Sequence, residues 1–186
     1  MMLLAVSAAA VVAFAVPAAA SATPLLHDAN EKAANNVTAV SENTISTTGL
    51  GKLECTTVEL SITATENTTT TAHGSGSGAA FGTPPLGHER DEPCIGGTGH
   101  VVISRVAVNT VHLDDDGTGH ASFEFDISSP VQCTVDGTAG ISYTPGGTTL
   151  TLVNGTLEGT PRTFPCNLLD GTISGDFTLQ EGVTVG

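Results

Sequence analysis

The stretch Ala121-Ser122-Phe123-Glu124-Phe125-Asp126-Ile127-Ser128 decides the fold. Its odd positions are apolar and its even positions polar. A repeat of two is the signature of a strand with one buried and one solvated face, because successive Cβ atoms point to opposite sides. The same pattern returns at Val135, Ala139, Ile141 and Tyr143, with Gly137 in phase, and at Ile173, Phe177 and Leu179, with Gly175 in phase. Val58, Leu60, Ile62 and Ala64 form a fourth such face. One-sided burial is how antiparallel sheets read.

Working outward, the segment from Val101 to Leu113 is less regular. Val106 and Val108 share one phase, Val111 and Leu113 the other, and a bulge or bend near Asn109 reconciles them. Pro145-Gly146-Gly147 is a turn signal between two strands, and Asn154-Gly155 and Asp170-Gly171 are dipeptides suited to tight hairpins. His27–Ala34 is the one helix-like patch. The threonine tract from Thr68 leads into Gly74-Ser75-Gly76-Ser77-Gly78, read as a weak edge strand, and then into Gly87-His88-Glu89-Arg90-Asp91-Glu92, read as a solvated loop. These signals predict an all-β protein: an antiparallel β-sandwich or flattened barrel of roughly eight to ten strands.

The N-terminus reads as a processing segment. An apolar run, Leu3 to Pro17, is followed by Ala20-Ser21-Ala22, an A-x-A site that predicts cleavage after Ala22. The run is shorter than the roughly 20 residues of a membrane span. No Lys or Arg precedes it, the first basic residue being Lys32. The expected organisation is a signal peptide over 1–22, an N-terminal extension with a first strand over 23–48, and a disulfide-linked β domain over 49–186, with no transmembrane segment in the mature chain.

Charge narrows the partners. Nineteen acidic and five basic residues give a formal net charge of −14. Such a chain repels nucleic acid and anionic membranes, so nucleic-acid binding is excluded. Charged residues are nonetheless 13% of the chain and apolar residues recur throughout, which is a folded composition.

Four cysteines, Cys55, Cys94, Cys133 and Cys166, show no C-x-x-C pair. In an exported chain an even count reads as two disulfides. A faint duplication suggests the pairing. Cys55-Thr56-Thr57-Val58 resembles Cys133-Thr134-Val135, and each is followed by a Pro-Cys pair, Pro93-Cys94 or Pro165-Cys166. The expected bridges are therefore Cys55–Cys94 and Cys133–Cys166.

The stretch His112-Leu113-Asp114-Asp115-Asp116-Gly117-Thr118-Gly119-His120 is the best candidate for a metal site. Aligning Gly117 to position six of a calcium loop puts His112 at position one and Phe123 at position twelve, so that motif fails at both ends. A hairpin tip accounts for its glycines and acids. Asp114, Asp115 and Asp116 stay as candidates for a loosely held surface Ca²⁺, in the millimolar range of extracellular modules. The remaining histidines, His27, His73, His88 and His100, show no metal-ligand spacing.

No catalytic motif emerges. Gly74–Gly78 does not match G-x-S-x-G. With no Trp and one Tyr, aromatic platforms for sugars are missing. Three glycosylation sequons, at Asn36, Asn67 and Asn154, are the chance matches expected of a Thr-rich chain. The loop Thr83–Pro93 and the acidic tip Asp114–Asp116 depart from the alternating pattern; they read first as solubilising surface, and if a partner binds they are the places for a cationic one or for loosely held Ca²⁺.

Gly51-Lys52-Leu53-Glu54-Cys55, the alternating strand after it, the Pro-Cys pair and the later Phe- and Thr-rich strands resemble the uncharacterised secreted β-proteins common in actinobacteria. The resemblance covers most of Gly49–Gly186. A weaker similarity is to the PraB-type secreted proteins associated with activation of alkane oxidation. Neither resemblance supplies catalytic residues. The acidic antitumour-chromophore carriers share the composition, but their disulfides close short loops. The function expected is that of an exported, non-enzymatic β protein with a binding or structural role at or outside the cell surface. The alternatives are a carrier of a small apolar ligand between the sheets and a hydrolase with an unrecognised site.

Overall fold

Ala121, Phe123, Phe125 and Ile127 all point inward, and the polar residues between them point out. That single strand sets the pattern for the whole wall. The computed structural model describes residues 22–42, 44–49, 51–82, 94–96, 99–129 and 131–186. The predicted signal peptide, apart from its last residue Ala22, and the loop Thr83–Pro93 lie outside the described residues.

In chain order the strands are β1 (Leu26–His27), β2 (Asn36–Ser41), β3 (Thr44–Thr48), β4 (Gly51–Cys55), β5 (Thr57–Asn67), β6 (Thr71–Phe81), β7 (Cys94–Gly96), β8 (Gly99–Asp114), β9 (Thr118–Ser129), β10 (Cys133–Tyr143), β11 (Thr149–Thr160), β12 (Gly171–Leu179) and β13 (Thr184–Val185). A single 3₁₀ turn, Cys166–Leu169, interrupts them among the described residues.

Eleven of these strands form one antiparallel sheet that closes on itself, because β12 pairs with β11 on one side and with β3 and β2 on the other. The result is a ring of 8 strands. Each wall position is adjacent to the next in sequence. Three positions are built from two strands end to end: β2 with β3, β4 with β5, and β6 with β7. β2 and β3 both pair with β12, β4 and β5 pair with β3 and β2, and β6 and β7 both pair with β8. The expected sandwich or flattened barrel is thus an up-and-down barrel. Closure removes the sheet edges that an open sandwich would expose.

The breaks share one level. Ser41 pairs with Val58 and Thr44 with Cys55, and on the facing strand the pairing passes from β5 to β4 there. Each break switches the inward phase: Val37, Ala39 and Ser41 are buried before it and Thr44 and Ser46 after it. Across from them Leu53 and Cys55 give way to Val58. Such irregularities bend a strand and let a sheet turn a corner. The disulfide Cys55–Cys94, with Cα atoms 4.6 Å apart, ties β4 to β7 at this level. Cys133–Cys166, at 5.6 Å, ties the start of β10 to the 3₁₀ turn. Both expected pairings are present, though the two bridges occupy unlike places and do not themselves repeat one another.

Several local expectations are met. Thr144–Thr148 turns β10 into β11, with the Gly147 N–H bonded to the Thr144 carbonyl at 2.8 Å. The β8–β9 register shifts between Val108 and Thr110, which makes Asn109 the bulge. Others are corrected. His27–Ala34 is not helical: His27 and Ala33 form a bridge around a tight turn. Asn154 adopts φ 52° as a bulge inside β11 rather than at a hairpin tip. Asp170 ends the 3₁₀ turn, its carboxylate accepting the Gly159 N–H at 2.8 Å, so Asp170-Gly171 is no two-residue hairpin. The segment read as a weak edge strand is β6, a paired wall strand between β5 and β8. A Cβ at Gly76 would lie 2.0 Å from the Ser61 carbonyl oxygen, so its lack of a side chain permits the close approach of β5.

The residues read as an N-terminal extension also belong to the barrel. β2 and β3 are wall strands, and β1 pairs with β13 in a small separate sheet. Leu25 is 1% exposed and Val185 0%, so the segments that carry them plug one end of the barrel with apolar side chains. Asn67 anchors the plug, accepting the Leu26 N–H at 2.9 Å and donating to the Leu26 carbonyl at 2.7 Å. Near the other end the 3₁₀ turn buries Cys166 and Leu169.

Candidate functional site

Most apolar residues of the wall turn inward and most of its Thr, Ser, Glu and Asp turn outward. This polarity is opposite to that of a lipid-facing barrel, whose outer band is apolar and whose lumen is polar. Outer charges pair across strands, Arg105 with Glu124 and, at 3.2 Å, with Asp126. Exposed pairs of this kind add little stability. Among the described residues no helix is long and apolar enough to cross a membrane.

The inward side chains do not fill the barrel. They leave a cavity of about 110 Å³ at the level of the strand breaks, lined among others by Leu53, Val58, Val108, Phe125, Leu152 and Phe177. Its size is comparable with the roughly 150 Å³ apolar cavities that stay dry and take up benzene or xenon. Two hydroxyl residues, Thr44 and Ser46, share this lining. Ser41, Thr44 and Ser46 are the buried polar side chains among the described residues. They cluster where β2 passes into β3. The Thr44 hydroxyl donates to Ser41 Oγ at 3.0 Å. Ser46 is 4% exposed, and its Oγ has no hydrogen-bond partner. Its cross-strand neighbours are Ile173 on β12 and Leu53 on β4, both apolar.

A second grouping lies on the outer face. His73, His112 and His120 are register partners across β6, β8 and β9. His112 Nδ1 lies 2.8 Å from His73 Nε2, and His112 Nε2 lies 2.8 Å from Asp114 Oδ1. The His112 ring is 4.1 Å from that of His73 and 4.9 Å from that of His120, centre to centre. Residues from two distant parts of the chain meet here, so the spacing along the sequence carried no hint of it. Knowing that β6 lies between β5 and β8 would have been the needed signal.

The stretch from His112 to His120 is the tip between β8 and β9, as expected. Its carboxylates have separate local partners. Asp114 faces His112, while Asp116 Oδ1 accepts the Thr118 N–H at 3.0 Å and its hydroxyl at 2.6 Å. The Asp115 N–H bonds to the Thr70 carbonyl at 2.9 Å. Among the described residues no three His, Cys, Asp or Glu side chains are placed to hold a metal ion. The candidates Asp114, Asp115 and Asp116 therefore share a turn without forming a coordination shell.

Tyr143 packs against this tip and donates its hydroxyl to the Asp114 carbonyl. Burial first, and then the neighbouring charges of Asp116, Asp114 and Asp115, push the phenol up to about 12. All three carboxylates disfavour a phenolate beside them.

No family model, curated protein or solved structure matches this chain.

Proposed function

We propose that the protein is an exported, non-enzymatic binding protein whose barrel carries a small apolar ligand. The observation that carries this reading is the apolar cavity of about 110 Å³ inside a closed wall. Cores pack to crystal-like density, and a void of this size is costly unless something occupies it. Two disulfides in an all-β fold are consistent with an extracellular protein and support export. The non-enzymatic reading draws on the interior chemistry. The buried polar groups among the described residues are three hydroxyls, with no titratable cluster beside the cavity. A hydrolase of the kind weighed above needs an activated nucleophile or a pair of carboxylates in a cleft.

Calorimetric titration of benzene against the wild type and an Ala80→Leu variant tests the proposal. Ala80 lines the cavity, and a leucine there fills part of it. Saturable one-site binding by the wild type, lost in a folded Ala80→Leu variant, is the expected result. No heat and no change in melting temperature with excess benzene would overturn it.

A further inference from the structure

We propose that the row of imidazoles on the outer wall binds one late transition-metal ion, Zn²⁺ or Cu²⁺, held by His73 on β6 and His112 on β8 and oriented by Asp114. The site lies outside the barrel and does not rest on the carrier reading. Three of the chain's six histidines stand in this row, as direct register partners on three adjacent strands. Side chains directly opposite each other on one face of an antiparallel pair have Cβ atoms about 4.5–5.5 Å apart, close enough for two imidazoles to reach a common ion.

The hydrogen bonds fix which nitrogen is open. Asp114 Oδ1 lies 2.8 Å from His112 Nε2. A carboxylate accepts, so Nε2 carries the proton and donates it, and in the neutral ring the lone pair sits on Nδ1. That nitrogen lies 2.8 Å from His73 Nε2 and 3.1 Å from His73 Nδ1. Metal-ligating histidines show the same arrangement, with the other ring nitrogen donating to a carboxylate. Two nitrogens at about 2.0–2.1 Å from an ion stand about 3.0–3.4 Å apart. An ion is therefore seated when the His73 ring turns a little outward and directs a lone pair at it. It replaces the proton between the two rings, and water fills its remaining positions. No third described His, Cys, Asp or Glu side chain is placed to join them, and the exposed His120, packed against His112, is not counted as a ligand. Glu66, the register partner of His73 on β5, and the net charge of −14 favour a cation here. Imidazole suits zinc and copper, whereas Ca²⁺ takes oxygen ligands, so this site is distinct from the Ca²⁺ candidates at the tip.

The test titrates Zn²⁺ calorimetrically into the barrel with both disulfides formed, and records the electron paramagnetic resonance spectrum of the Cu²⁺ form. One equivalent of Zn²⁺ is expected to bind, and the Cu²⁺ spectrum to show coupling to two imidazole nitrogens. His73→Gln and His112→Gln each weaken Zn²⁺ binding by about tenfold or more, and Asp114→Asn, which leaves both ligands in place, weakens it by about tenfold. His100→Gln, on β8 but outside the row, binds like the wild type. Unchanged affinity in His73→Gln, His112→Gln or Asp114→Asn, with circular dichroism showing the barrel folded, would overturn the inference and make any bound zinc adventitious. So would a wild type that takes up no Zn²⁺ or more than one equivalent, or a Cu²⁺ spectrum without two imidazole nitrogens. Those last readouts do not depend on any variant folding.

Discussion

The ring of Phe123 lies over Gly137, its cross-strand partner on β10. A Cβ built on Gly137 would come within 2.0 Å of Phe123 Cε2, so the ring occupies the space that any side chain there would need. An aromatic ring covering a glycine on the neighbouring strand compensates for the packing a glycine cannot provide. The same ring forms part of the cavity wall.

This contact predicts the effect of Gly137→Ala. The added methyl must displace the Phe123 ring, and overpacking of this kind costs about 1–3 kcal/mol. Urea unfolding should show a lower midpoint at unchanged slope. A variant as stable as the wild type would mean that the ring has another place to rest.

The plugged end gives a second prediction, linking processing to folding. The proposed cleavage after Ala22 would leave Leu25, 1% exposed, intact. N-terminal sequencing of protein from the culture medium should begin at Thr23. Leu25→Ala, tested in that mature chain, should lose about 2–5 kcal/mol, as for other buried leucines. A loss within about 0.5 kcal/mol, the usual range for surface positions, would show that the plug is not part of the cooperative core.

Tyr143 sets a pH window. Its phenol titrates near 10.0 in the unfolded chain and at about 12 in the folded one. Below both values the phenol is protonated in either state and adds no pH dependence. Between them the unfolded state loses the proton first, so stability falls as pH rises from about 10 to about 12. Tyr143→Phe should flatten that part of the stability–pH curve while lowering stability at neutral pH, by about 0.5–1.5 kcal/mol for the lost hydrogen bond. Parallel curves for the two proteins across the window would contradict the assignment.

Much of the wall was legible in the sequence because its side chains carry the period-two signal directly. β5, β9, β10 and β12 show it in Val58–Ala64, Ala121–Ile127, Val135–Tyr143 and Ile173–Leu179, and the phase switch at Asn109 marked its own bulge. β6 was hidden for a physical reason. Its inward positions run Ala72, Gly74, Gly76, Gly78 and Ala80, so alternation there is between small residues and polar ones, which hydropathy barely registers. Asn154-Gly155 misled because a bulge and a tight hairpin call for the same positive φ. Ser41, Thr44 and Ser46 look like solvated residues in one dimension. They are buried because the break between β2 and β3 reverses the phase, and that break is defined by pairing with β5 and β12. The cavity and the histidine row belong to no single segment. They exist only once the ring closes and sets distant strands in register.

Xenon diffusion into crystals of the protein tests the central claim most directly, since xenon reports apolar space without requiring any particular ligand chemistry. The account predicts a strong anomalous peak inside the barrel, bounded by Val108, Phe125, Leu152 and Phe177, which weakens or vanishes in Ala80→Leu. A barrel interior closed by side chains at full packing density, with no xenon peak within it, would contradict the account.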